Sequence, residues 1–288
     1  MCLDVVYNHL GPSGNRLPDF GPYFTDQHQT PWGQAVNLDG PRSDEVRRFV
    51  VDNAVGWLRD FHVDALRLDA VHALHDDRAL PLLEQLSARV DALSAELGRP
   101  LWLVAESNRN DPRTVMPRRE SGLGLHAQWA DDVHHGLHVL LTGETAGYYA
   151  DFAAPDALTT VLTGGFLHGG TWSTFRGRTH GRPVDRSRTP GWRFVVALQT
   201  HDQVGNRATG SRPRSTPARW RAGRRCCSPA RARRCCSWAR SGARRRPGST
   251  LPTTRTPTSP RPCDKAGASS PTTAGPPRTC RTRRTGPP

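Results

Sequence analysis

Apolar runs that end in ionisable residues constrain this chain more than any other feature. The clearest is Val63-Asp64-Ala65-Leu66-Arg67-Leu68-Asp69. Its apolar positions and the dense helical pattern before it read as a buried β-strand. In a strand, residues two apart point to the same face, so Arg67 and Asp69 project together. Taking an aspartate out of water is costly unless a partner holds it ionised. An adjacent guanidinium does so and lowers the carboxyl pKa. An ionised, oriented carboxylate at a strand end suits a nucleophile. It also suits a structural ion pair, so the neighbouring strands must decide.

The pattern recurs. Leu3 to Tyr7 reads as a strand closing on Asn8-His9, and Leu101 to Ala105 ends on Glu106. Leu125 to Trp129 precedes Asp131-Asp132, with His134 and His135 opening a helix. Arg193 to Gln199 ends on Thr200-His201-Asp202. Helical spacing lies between these runs. Ser43 is placed to cap one helix, whose apolar stripe includes Val46, Phe49, Val50, Leu58 and Phe61. A second stripe, Leu82 to Leu97, is terminated by Gly98. Residues 145–166 read as helix with breaks. Residues 10–42 form a long Gly/Pro/Asn/Asp-rich loop carrying Phe20, Tyr23, Phe24 and Trp32. Those aromatics suit sugar stacking or packing of the loop on itself. Alternating strands and helices argue for an α/β fold with a parallel sheet. Ionisable groups at successive strand ends argue for a (β/α)8 TIM barrel, with a doubly wound sheet as the alternative.

Asp69, Glu106 and Asp202 thus follow apolar strands, with His9 and His201 at the same level. Two carboxylates flanking a bond are what glycoside hydrolysis requires, one as acid and one as nucleophile or base. Apolar surroundings and nearby carboxylates raise the Glu106 pKa, whereas Arg67 keeps Asp69 ionised. Asp, Glu and His at strand ends also serve divalent-metal hydrolases, but no H-x-H or HExxH pattern is present. His134 and His135 are expected at the surface or behind the site. No cofactor and no metal set is implied.

The chain has 288 residues and a net charge of +14. That charge lies in the tail: residues 211–288 hold 20 Lys+Arg and one acid, Asp264, whereas residues 1–210 carry a net charge of −5. The tail also holds six of the seven cysteines and, apart from Leu251, no aliphatic residue larger than alanine. Such a segment buries too little apolar surface to order itself, so 211–288 is expected to be disordered. Three readings compete. One is a basic arm that binds polyanions. Another is a metal site at Cys226-Cys227 and Cys235-Cys236. The third, a shifted reading frame, fits best: the chain has no isoleucine and one lysine, Lys265, as GC-rich codons give, and the tail composition is that of GC-rich DNA read out of frame. Met1-Cys2-Leu3-Asp4 opens directly as a strand without signal-peptide character, and no 18-residue apolar run occurs. The expectation is a cytoplasmic protein without membrane or specific nucleic-acid partners. Residues 1–210 are read as an incomplete catalytic barrel cut at both ends.

Four stretches resemble the four sequence regions of the alpha-amylase superfamily of retaining glycoside hydrolases. They are Asp4-Val5-Val6-Tyr7-Asn8-His9, Ala65-Leu66-Arg67-Leu68-Asp69, Val104-Ala105-Glu106 and His201-Asp202, in that order. The resemblance implies Asp69 as nucleophile, Glu106 as acid/base and Asp202 as the transition-state-stabilising aspartate. It also implies His9 and His201 as sugar-bonding residues and Arg67 as the arginine beside the nucleophile. Tyr7 and Asp131 are further candidate substrate contacts. Longer stretches, among them Asn8-His9-Leu10-Gly11-Pro12, Thr30-Pro31-Trp32-Gly33 and Gln128 to His135, resemble the branch acting on malto-oligosyltrehalose. That branch cleaves the α-1,4 bond next to a terminal trehalose unit and releases trehalose. Glycogen-branching and debranching enzymes share the four regions but fit these loops less well. The resemblance spans about residues 3–210 and places the first region at barrel strand three, so this chain holds about strands three to seven. An open barrel exposes sheet edges, so the isolated chain is expected to be poorly stable and inactive. The Asp69 and Glu106 carboxyls are expected about 5–5.5 Å apart.

Overall fold

The computed structural model describes residues 1–11 and 13–205 and, beyond them, 216, 218, 221, 223, 233 and 234. The chain divides into two units, Met1–Arg246 and Pro247–Pro288, and all described residues belong to the first. In chain order its elements are β1 (Cys2–Val5), β2 (Phe24–Thr30), β3 (Gly33–Val36), α1 (Ser43–Arg59), β4 (Ala65–Leu68) and α2 (Leu82–Leu97). They continue with β5 (Trp102–Glu106), β6 (Ala127–Trp129), α3 (Asp131–Thr142), α4 (Ala157–Gly164), β7 (Thr171–Ser173) and β8 (Arg178–His180). β9 (Phe194–Val196), α5 (Asp202–Gly205) and β10 (Arg233–Arg234) complete them.

Six strands form one parallel sheet in the order β1-β4-β5-β6-β9-β10. Each new strand joins on the same side, so the order never reverses. That is the winding of a (β/α) barrel and not of a doubly wound sheet, whose order turns back at a switch point. The fold is α/β, a partial barrel sheet. β2–β3 and β7–β8 are separate antiparallel pairs.

The pleat sorts the side chains. Leu66, Leu68, Leu103 and Ala105 face one side and join Val50, Ala54, Leu58, Val90 and Leu93 of α1 and α2 in the larger core. Each such Leu or Val contributes roughly 1.5–3 kcal/mol on burial. The alternate positions Val104, Ala127, Trp129 and Val195 form a small cluster on the opposite, inner face. Phe194 and Val196 pack with Val133, Leu137 and Leu141 of α3. The same alternation sends Arg67 inward beside that inner cluster.

Several expectations are corrected. The predicted 10–42 loop contains the β2–β3 hairpin. Ser43 does not cap α1: it is the buried first helical residue, and Arg42 precedes it in the left-handed region at φ 61°. The buried stripe of α1 is Val46, Val50, Val51, Ala54, Val55 and Leu58, and Phe49 and Phe61 are exposed. Phe49 makes an edge contact with Tyr23, just before β2. Gly98 does terminate α2, at φ 62°. The β7–β8 hairpin was not foreseen. Among the described residues no helix is long and apolar enough to cross a membrane. Arg233–Arg234 is a two-residue strand beside β9. The expected disorder of 211–288 and the Cys226-Cys227 and Cys235-Cys236 reading otherwise lie outside the described residues.

Candidate active site

Strand register assembles the centre. β1 and β4 pair Asp4 with Arg67, and β4 and β5 pair Arg67 with Val104. Arg67 is therefore beside Asp4, two residues before Asp69 and one strand from Glu106. Its guanidinium meets all three carboxylates. Nη1 lies 2.6 Å from Asp4 and 3.1 Å from Asp69, and Nη2 lies 2.6 Å from Glu106. The Trp129 ring covers the guanidinium, its centroid 5.2 Å from Cζ, a cation–π contact. Arg67 is buried, and its Nε has no hydrogen-bond partner.

Two further residues lock the acids. Fully buried Asn8 donates from Nδ2 to the Asp69 backbone carbonyl (2.7 Å) and to Asp69 Oδ2 (3.0 Å). Ala70 adopts a left-handed conformation, φ 40° and ψ 50°, which non-glycine residues rarely accept. The twist directs its N–H to Glu106 Oε2 at 2.8 Å.

The two acids titrate in opposite directions. Burial pushes the Asp69 carboxyl up, but hydrogen bonds from Asn8, Arg67 and Glu106 and the Arg67 charge outweigh it, holding Asp69 below the ordinary carboxylate range. For Glu106 burial dominates. Arg67 and the Ala70 N–H oppose it, Asp69 and Asp202 reinforce it, and the carboxyl rises to about 7. Glu106 is thus poised to hold or release a proton near neutral pH, beside an Asp69 that stays ionised.

The remaining predicted residues lie around this pair. His9 bonds Asn8 Oδ1 through Nδ1 at 2.5 Å and stacks on Trp32, with ring centroids 4.5 Å apart. Burial lowers its pKa, against the charge of Asp69. Asp202 opens α5, its carboxylate near the Thr200 hydroxyl (3.4 Å) and His201 Nε2 (3.6 Å). Asp202 and Asp131 do not bond Arg67 directly. Asp131 opens α3, and its carboxyl is pushed well above the ordinary range by burial and then by the charges of Glu106, Asp132 and Asp202. Tyr7 points its hydroxyl to Asn53 of α1 at 2.8 Å and takes no part in the Arg67 hydrogen bonds.

His134 and His135 are not at the surface. His134 is buried and accepts the Ala197 N–H at Nε2 (2.8 Å), which ties α3 to the end of β9. Burial lowers its pKa to about 3. His135 packs on Tyr148, Tyr149 and Phe152. The sequence reading did not single out Asn8, Asp4 or Ala70. A polar Asn closing an apolar strand was a usable signal for Asn8, whereas Asp4 needed the strand register and Ala70 the backbone angles. Among the described residues, one set of three metal-capable groups lies within reach of a single ion. It is His28, Asp39 and Asp77, outside this centre.

No family model matches the chain. A malto-oligosyltrehalose trehalohydrolase of Arthrobacter ramosus is 63% identical over 209 residues, covering 73% of this chain and 36% of the relative. Another, from Rhizobium sp. (strain M-11), is 57% identical over 209 residues, covering 73% and 35%. The crystal structure of a candidate alpha amylase from Salmonella typhimurium superposes with a TM-score of 0.72 at 34% identity, covering 81% of this chain and 40% of that one. The chain spans about a third of the length of the curated relatives it matches, and over that third it is a relative of the malto-oligosyltrehalose trehalohydrolases.

Proposed function

We propose that this chain carries the catalytic centre of a retaining glycoside hydrolase that cleaves the α-1,4 bond next to the terminal trehalose of malto-oligosyltrehalose. The observation that carries the reading is the Asp69–Glu106 pair, spread over the two terminal nitrogens of Arg67 and split in pKa. Both carboxylates share one guanidinium, Asp69 at 3.1 Å and Glu106 at 2.6 Å from its two terminal nitrogens, which supports the roughly 5–5.5 Å spacing of a retaining pair over the roughly 6.5–9.5 Å of an inverting one. In this reading Asp69 attacks the anomeric carbon as the glycosidic C–O bond breaks. Glu106 gives its proton to the leaving trehalose oxygen. A water then loses a proton to Glu106 and attacks the same carbon, releasing Asp69 and the shortened glucan. Asp202 faces the oxocarbenium-like charge. His9 and His201 bond the sugar, and Asp131 is a further substrate contact at the same rim. Tyr7 packs against the α1–α2 core with its hydroxyl on Asn53, so no direct contact with substrate is assigned to it.

The finer organisation is part of the proposal: β1, β4, β5, β6 and β9 are strands three to seven of an eight-strand barrel. Residues 1–210 are the catalytic segment, and 211–288 is a tail outside it. The test is a chimera in which residues 1–205 replace the matching segment of the Arthrobacter ramosus relative. Trehalose released from maltotriosyl-trehalose, with retention at the new reducing end, is expected. A folded chimera that releases none overturns the reading.

A further inference from the structure

We propose that His28, Asp39 and Asp77 form a divalent-cation site that pins the β2–β3 hairpin to the loop after β4. The three come from β2, from the turn after β3 and from the loop before α2. One ligand atom from each lies within 4.8 Å of the others. His28 Nε2 and Asp39 Oδ2 are 3.2 Å apart. That is close to the roughly 3.3 Å between two ligands of one tetrahedral ion with bonds of about 2.0–2.1 Å. The Asp77 carboxylate is on an exposed residue and is free to rotate the remaining distance.

A second observation points to a ligand. The Asp39 side chain is only 9% exposed. Its Oδ2 accepts the Asp77 N–H at 3.0 Å and meets His28, but Oδ1 is shut off from solvent with no hydrogen-bond partner. A buried carboxylate oxygen without a partner costs free energy, and native proteins seldom keep one. A cation held by both oxygens of this carboxylate, Oδ1 and Oδ2, satisfies the unpartnered Oδ1 and balances two negative charges with one imidazole beside them. His75 stacks on His28, with centroids 5.0 Å apart and planes 12° apart, which fixes the imidazole plane.

One imidazole and two carboxylates suit ions of the Mn²⁺ to Zn²⁺ range better than Ca²⁺, which takes oxygen ligands alone. Three protein ligands leave the other positions to water. Because the ligands come from three separate segments, no short sequence motif announces them. The site sits on the hairpin whose Trp32 stacks on His9. Occupancy therefore fixes the wall of the centre without touching Asp69 or Glu106.

The probe is Mn²⁺ titrated into the full 288-residue chain and followed by electron paramagnetic resonance. Mn²⁺ is chosen because the tail cysteines compete for softer ions. The expected result is one bound Mn²⁺ that raises the thermal midpoint, with affinity falling at least tenfold in both Asp39→Asn and Asp77→Asn. Asp77→Asn changes an exposed side chain and keeps the Asp77 N–H bond, so its far-UV circular dichroism should match the parent. Absence of Mn²⁺ binding at millimolar concentration, or binding that survives Asp77→Asn, overturns the proposal and leaves His28–Asp39 as a simple ion pair.

Discussion

Arg47 and Arg67 are both buried arginines on neighbouring elements, and their surroundings differ in one decisive way. Arg47 meets one carboxylate, Asp76, at 2.5 Å, and spends its other donors on the carbonyls of Leu38 and Leu80 and on Gln85. Asp76 in turn takes the N–H groups of Arg78 and Leu82. One positive charge faces one negative charge, and neutral groups do the rest. Arg67 instead faces Asp4, Asp69 and Glu106, and its Nε has no partner. One positive charge faces three acids, Glu106 and Asp69 largely shut off from water and Asp4 at the exposed edge. The imbalance shows in the most desolvated of them, Glu106, whose carboxyl is raised to about 7 by burial. The Arg47 pair closes its own electrostatics, whereas the Arg67 cluster leaves one carboxyl poised, as the proposed proton transfer requires.

The largest effect expected from this contrast is on chemistry. In the chimera described above, Asp69→Asn should lower kcat on the order of 10⁴-fold or more, as loss of a nucleophile does. Glu106→Gln should lower it by roughly 10²–10⁴-fold. Substitutions at Arg47 or Asp76 that leave the protein folded should leave kcat within a few-fold. Comparable losses at both arginine sites would erase the distinction.

Stability should separate the two sites next. Arg67→Met and Arg47→Met should each cost about 3–5 kcal/mol in urea unfolding, the cost of a buried charge left without its partner. For Arg47 a second change, Asp76→Asn, should recover most of the loss. For Arg67 no single neutralisation should do so, since two acids remain. Full recovery in Arg67→Met/Asp69→Asn would show that the cluster is an ordinary pair.

The pH dependence sharpens the comparison further. The folded Glu106 carboxyl sits at about 7, above its ordinary 4.5. The folded chain therefore holds this proton longer than the unfolded chain. Its contribution is fully present below about pH 4.5 and is lost as pH rises through about 7, on the order of 3 kcal/mol at most. Asp69 acts oppositely, but only below its ordinary 3.8, outside that window. Relative to Glu106→Gln, the parent should lose stability between pH 4.5 and 7. A pH-independent difference would remove the poised proton from the account.

The smallest expected effect is Tyr7→Phe. Losing the bond to Asn53 should cost about 1 kcal/mol, with kcat unchanged. A tenfold fall in kcat would bring the Tyr7 hydroxyl back into the substrate site.

Much of the centre was legible because parallel strands have a fixed period. Arg67, Asp69 and Glu106 announce themselves as charges where an apolar strand stops, and the shared direction of Arg67 and Asp69 follows from two-residue alternation alone. The Asp4–Arg67 bond was hidden because it depends on how β1 is registered against β4, which no local pattern encodes. Ser43 and Phe49 misled for a related reason: capping and amphipathic spacing are local rules. The chain entering α1 takes the left-handed turn at Arg42, and Phe49 lies on the exposed side of α1 with an edge contact to Tyr23. For His134 the sequence left surface and a place behind the site both open, and the structure puts it behind, because nothing local shows that its imidazole reaches the N–H of Ala197, 63 positions later.

The left-handed turn at Ala70 sets what the gene tolerates at that codon. The position needs a residue that accepts positive φ and keeps its N–H for Glu106. Among variants drawn at random, glycine, asparagine and aspartate meet both demands on the backbone, valine and isoleucine fail the first, and proline fails both. Selection for a working acid would thus be written at a residue whose own side chain does no chemistry. A tally of survivors at codon 70 would report on Glu106 without any change to Glu106 itself.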